Sequence, residues 1–274
     1  MLRFAVPGTP LSTPRGGGTL EGLKYIKTLG CNAMELEWVQ AVPKNAEHVE
    51  KVGALAKELD IALTIHAPYY INLNSPEKEK LDASIGRIVL ALTMAQIAGA
   101  VSVCVHPAFY LGMEPAVAFE NVRKATDKIL KRKAKFFPDV NLGFETMGKP
   151  SQFGTLEEVL RISKEFGIYP CVDPAHMHAR SNGAVNSAAE WHEMLDLYED
   201  YLGKKSLKTM HLHFSGIAYG EKGEKHHVPL QESDAKWKDF LKVLKARKVG
   251  GICTCESPLM EKDTLLMQRT FATL

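Results

Sequence analysis

Eight short apolar runs, each followed or nearly followed by a stretch of helical spacing, constrain this chain more than any other feature. The runs cover 2–6, 33–38, 62–66, 101–106, 141–146, 169–173, 209–215 and 251–256. Runs of this kind read as strands buried on both faces, as in a parallel sheet covered by helices. The intervening segments carry helix signals. Thr19 opens one that runs to Gly30, and Ser75 with Pro76 opens another. Thr155 and Glu158 have capping-box spacing, and that helix stops at Gly167. Ser233 or Asp234 precedes Trp237, Phe240, Leu241 and Leu244, which share one helical face. Eight such units close a (β/α)₈ barrel better than they fill an open sheet. A barrel takes about 250 residues, and the chain has 274. The expectation is an α/β fold: one TIM-barrel domain over 1–274, with its active site at the C-terminal ends of the strands.

A composition of 45% hydrophobic and 24% charged residues supplies an ordinary globular core and excludes disorder, collagen-like repeats and a disulfide-stapled miniprotein. The formal charge of +2 neither demands nor forbids a polyanion partner. Cys31, Cys104, Cys171, Cys253 and Cys255 are odd in number and lack CxxC spacing, so they read mostly as small core residues in a reducing compartment such as the cytoplasm. No secretory signal is expected, because Pro7, Pro10, Pro14 and Gly16–Gly18 interrupt the first residues. The uncharged stretch 88–105 has the length of a membrane span. Thr93, Gln96 and Gly99 break it, however, and its period changes there. It reads as a helix, a turn and a buried strand.

Ionisable residues fall at the expected rim. His66 ends the third strand, His106 the fourth, Glu145 the fifth, Asp173 the sixth and Glu256 the eighth. His176 follows Asp173, His211 lies on the seventh strand, and Glu224, His226 and His227 lie in the long loop after it. Of ten histidines, only His48 and His192 fall in helical patterns. Imidazoles and carboxylates in such a cluster are costly to desolvate unpaired, and divalent cations remove that cost. Histidine and carboxylate donors without thiolates suit zinc, manganese or iron. A catalytic zinc takes about three protein ligands, so this pool suggests two or three ions with a bridging carboxylate. Multi-metal sites of that kind favour in-line attack on phosphate esters.

The stretches IHAPYYINL (65–73), CVHPAFY (104–110), GFETMGK (143–149), CVDPAHMHA (171–179), MHLHFSG (210–216), EKHH (224–227) and CESP (255–258) resemble the endonuclease IV family of apurinic/apyrimidinic endonucleases. They follow that family's order and spacing from the third strand to the eighth. The resemblance implies a hydrolase with three divalent ions, zinc first, with manganese or iron also compatible. It implies a DNA-repair enzyme that cuts double-stranded DNA 5′ to abasic sites, without membrane or obligate protein partner. Carried over by motif, His66, His106 and Glu145 would hold one ion. Glu145 would bridge to a second, held by Asp173, His211 and Glu256, while His176, Glu224 and His226 would hold the third. Glu145 and Glu256 would be the catalytic carboxylates, and Tyr69 would stand beside the lesion.

Several positions depart from the family. Glu224 replaces an aspartate, and Lys225 stands where an arginine separates two ligands. His213, in phase with His211 on the strand, would orient a ligand or touch phosphate. The first strand leads into Ala5–Gly8 without the usual histidine, and the second ends in Glu37, Trp38, Val39 and Gln40 without arginine. Trp38 and Tyr70 read as packing residues. Phosphate contacts could come from Arg15, Lys149, Arg180, Lys222 and Lys225. The alternative is a sugar isomerase or epimerase resembling xylose isomerase, which needs one metal on Glu145, Asp173, His211 and Glu256.

Overall fold

The computed structural model describes residues 1–14 and 17–274. Its sheet has eight parallel strands: β1 (Leu2–Pro7), β2 (Ala33–Glu37), β3 (Ala62–His66), β4 (Ser102–Val105), β5 (Asn141–Phe144), β6 (Cys171–Val172), β7 (Met210–Phe214) and β8 (Gly251–Cys255). Sheet order runs β5-β4-β3-β2-β1-β8-β7-β6. A single parallel bridge, Glu145 to Cys171, joins the two edges and nearly closes the barrel.

Strand residues alternate between two surroundings. Met34, Leu36, Leu63, Ile65, Val103, Val105, Leu142 and Phe144 join one apolar cluster with the helices outside β1–β5. Val172, Leu212, Phe214, Cys253 and Cys255 join a second outside β6–β8. The inward positions are different. Ala5, Ala33 and Ile252 form a small apolar layer. Above it, Glu35, Thr64, His66, Ser102, Cys104, Glu145, Cys171, Asp173, His211, His213 and Thr254 are all buried. Barrel interiors are usually filled by branched aliphatic residues; this one is polar.

Helix Lys78–Ala98 is long and apolar enough, by length and composition alone, to cross a membrane. Here Ile85, Ile88, Ala91, Leu92 and Ala95 lie in the core between helix and barrel. Gly99 ends the helix at φ 66°, and β4 follows. The Thr155–Glu158 capping box and the stop at Gly167 are both present. Two other helices begin later than their Ser/Pro signals suggest, at Lys78 and Trp237. Ser75 and Ser233 instead use their hydroxyls to cap the turns before those helices, accepting from Glu77 N and Ala235 N. The loop after β7 contains a hairpin, Gly216–Gly220 with Gly223–Val228, that strand-and-helix periodicity does not reveal.

Candidate metal centre

Glu145 is fully buried and gathers the rim around itself. Its Oε2 lies 2.9 Å from His106 Nε2 and 3.6 Å from His66 Nε2. Its Oε1 lies 3.2 Å from His213 Nδ1 and 3.3 Å from His176 Nδ1. His106, Glu145, Asp173 and Glu256 each sit one residue past their strand, on the inward phase. Asp173 leaves the strand to cap helix Pro174–Arg180, its Oδ1 accepting from Ala175 N at 2.7 Å and His176 N at 3.0 Å. The other oxygen, Oδ2, is buried and has no hydrogen-bond partner among the described residues.

Three imidazoles are anchored in the same manner. His66 Nδ1 meets Ala67 O at 2.8 Å, His176 Nδ1 meets Thr146 O at 3.0 Å, and His227 Nδ1 meets Glu256 O at 2.9 Å. A ring N–H donated to a carbonyl fixes the ring and turns the other nitrogen towards the site, as in metal-binding histidines. His176 Nε2 thereby faces His227 Nε2 at 3.4 Å and Glu224 Oε2 at 3.7 Å. The donor atoms of His176, Glu224 and His227 lie within 4.8 Å of one another, as do those of Glu145, Asp173, His176 and Glu256.

Charge explains what such a cluster requires. Among the described residues, the ion pairs of Glu35, Glu145, Asp173 and Glu256 are all with histidine, none with lysine or arginine. Burial alone would raise Glu145, but His106 and His213 hold it well below the usual carboxylate range. Burial likewise works against ionisation of Glu256, but His213 overcomes it and holds Glu256 down to about 2. His66 is pushed up to about 10, its burial outweighed by Glu145 and Glu37. Asp173 is raised, because burial exceeds what His176 returns. Protons on histidine supply the counter-charge when no metal does. Divalent cations are the alternative source, and the orphaned Asp173 Oδ2 and the facing Nε2 atoms fit them.

The structure places other expected residues differently. His211 lies below the rim, its Nε2 2.8 Å from Glu35 Oε2 and its Nδ1 3.1 Å from Ser102 Oγ. His213 stands where His211 was expected, against Glu145 and Glu256. His226 is exposed, and His227 takes its place beside His176 and Glu224. A register shift in the hairpin explains the exchange. Tyr219 pairs with Glu224 and Ala218 with His226, so Lys225 is an extra residue and the alternation slips by one. Lys225 and Lys222 are exposed. Arg180 donates to the carbonyls of Met147, Lys149 and Gln152, bracing a loop. Arg15 lies outside the described residues. Tyr69 stands over the cluster, 5.1 Å from the His66 ring and 5.2 Å from His106. Trp38 is buried; Tyr70, expected to pack, is 61% exposed, its hydroxyl donating to Gln40.

Two findings escaped the sequence reading. Glu35 is a fully buried carboxylate, two residues before Glu37 on the inward face of β2. Cys104 and Cys171 are inside the barrel rather than in the apolar clusters, with Cys104 Sγ 3.1 Å from Glu145 Oε2. Both follow from strand phase, since each is two residues before His106 or Asp173.

Residues 23–271 match the family described as xylose isomerase-like TIM barrel. The chain belongs to that family. An uncharacterized protein of Methanocaldococcus jannaschii is 35% identical over 99% of this chain and 97% of its own length. A protein of Acholeplasma laidlawii named "Probable endonuclease 4" is 24% identical, covering 77% of this chain and 73% of its own. Among solved structures, endonuclease IV from Thermus thermophilus superposes with a TM-score of 0.74 at 21% identity, covering 99% of this chain and 98% of that one. A D-tagatose 3-epimerase-like protein superposes with 0.73 at 17%, covering 99% and 96%. At these identities the two superpositions establish the barrel fold and nothing finer.

Proposed function

We propose that this barrel is a metal-dependent phosphodiester hydrolase of the cytoplasm that incises double-stranded DNA 5′ to abasic sites, using three divalent ions, zinc first. The observation that carries the reading is the surplus of donors. A sugar isomerase or epimerase needs one ion on strand-end carboxylates. Here His66 and His106 flank Glu145 on one side, and His176, Glu224 and His227 form a further group on the other. The likeness to proteins named endonuclease 4 supports the same reading.

Bound to these donors, divalent cations would polarise the scissile phosphate, activate water and take up charge on the leaving oxygen. Glu145, with one oxygen towards His66 and His106 and the other towards His176 and His213, would bridge two ions. His66, His106, Asp173, His213 and Glu256 would complete those two, and His176, Glu224 and His227 would hold the third. The carbonyl-anchored rings lose little freedom on binding, so the donors are arranged in advance. Tyr69 would form a wall of the pocket that receives the abasic sugar, and Lys225, exposed beside Glu224, would meet backbone phosphate.

The test is a duplex oligonucleotide carrying one tetrahydrofuran abasic analogue, offered to zinc- or manganese-loaded protein beside a panel of ketoses. Incision immediately 5′ to the lesion, abolished by chelator, is the expected result. Ketose epimerisation without incision would overturn it.

A further inference from the structure

We propose that Glu35, His211 and His213 form a further divalent-cation site inside the barrel, one layer beneath the rim. The inference goes beyond the nuclease reading, because neither Glu35 nor His211 belongs to the rim's donor groups. All three side chains are buried, on neighbouring inward positions of β2 and β7, and their donor atoms lie within 4.8 Å of one another.

The geometry is not that of a finished hydrogen-bonded network. Glu35 Oε2 and His211 Nε2 form an aligned hydrogen bond at 2.8 Å. Glu35 Oε1 and His213 Nε2 are as close, 2.7 Å, yet they are not aligned as donor and acceptor, and neither has another partner among the described residues. These two donors, close enough to pair as charges but without an aligned hydrogen bond, thus converge with His211 in one buried space, and burying them so is costly. A cation bonded to both removes the cost.

His213 separates this space from the rim. Its Nδ1 faces Glu145 and Glu256 at 3.2 and 3.3 Å, while its Nε2 faces Glu35. With its ring N–H proton released to solvent, the resulting imidazolate can serve an ion on each side. His211 is oriented from behind by Ser102 Oγ at 3.1 Å. The set is two histidines and one glutamate, and the thiols of Cys104 and Cys171 approach His213 from the side. Such donors select a late first-row divalent ion such as zinc over magnesium or calcium.

Protein stripped with chelator and reloaded with zinc gives the test, by metal count per chain and by anomalous diffraction at the zinc edge. The expected result is an anomalous peak bonded to Glu35, His211 and His213. Glu35→Gln loses that peak and one zinc per chain, whereas His106→Ala loses zinc at the rim and keeps the inner ion. If Glu35→Gln does not fold, His211→Gln serves in its place, and the wild-type map is decisive alone. A map with peaks only at the rim overturns the inner site and leaves the nuclease reading standing. Full zinc content in folded Glu35→Gln does the same. Loss of rim zinc in His106→Ala with no incision activity in the wild type would strike the nuclease reading and spare the inner site.

Discussion

Fully buried Glu145 and half-buried Glu37 show how differently two carboxylates can be treated within one barrel. Glu145 meets four histidines and a thiol, so its charge is compensated from several directions. Glu37 is largely enclosed and its Oε1 has no partner among the described residues. Burial pushes it up from 4.5 to about 8, against the pull of His66. The folded state therefore holds a proton that the unfolded chain releases, and stability falls as pH rises from about 4.5 to about 8. Glu37→Gln removes that loss. In chelator-treated protein the variant should gain on the wild type by at most about 1.4 kcal/mol per pH unit across this window. Urea unfolding at several pH values measures it, and a difference that does not change with pH would refute the argument. At this scale the sequence was informative about which side of a strand a residue takes, and silent about depth. His211 and His213 share a face two residues apart. Only the register of β7 against β8, with His213 opposite Thr254, decides which one reaches Glu256.

Among the elements, the Gly216–Val228 hairpin governs the outer part of the site. It delivers Glu224 and His227, and a single extra residue at Lys225 decides which histidine faces inward. Alternation alone pairs Glu224 with His226, so this choice could not be read from the sequence. The hairpin is held down by Tyr219, whose hydroxyl donates to Asp234 at 2.6 Å, and Asp234 also meets His178. Its seat on the barrel is Gly148. A Cβ there would come within 2.7 Å of Glu224 Oε2, 2.8 Å of Glu224 Cβ and 3.2 Å of His176. Gly148→Ala should displace Glu224 and His176, lower metal affinity at the outer group by at least the roughly 10–100-fold typical of disturbed ligand support, and leave the fold intact. Isothermal zinc titration with circular dichroism checks both parts. Unchanged affinity would mean that Glu224 is not a ligand.

The whole barrel departs from its kind in having a polar interior, and this ties stability to metal. Carboxylates that, among the described residues, pair only with histidines lose their best counter-charge when cations are removed. An ion present at 100 times its dissociation constant contributes about 2.7 kcal/mol, which corresponds to a melting shift on the order of 5–10 °C per ion in a chain of this size. Chelator should lower the melting temperature by at least that amount, and a curve indifferent to chelator would contradict a resident metal centre. The alternation of eight strands and helices was legible because each outward residue must enter an apolar cluster, and β-branched and helical periods mark that need. The polar interior was legible at the rim, where charged residues end the strands. It was not legible below, where Glu35, Cys104 and Cys171 sit in runs that look apolar.

The number of ions in the native protein tests the central claim most directly. Native mass spectrometry of zinc-loaded wild-type chain should show at least three ions per chain, removed together with phosphodiesterase activity by chelator. A single ion per chain would contradict the account and return the barrel to the one-metal sugar chemistry that Glu145, Asp173 and Glu256 could also support.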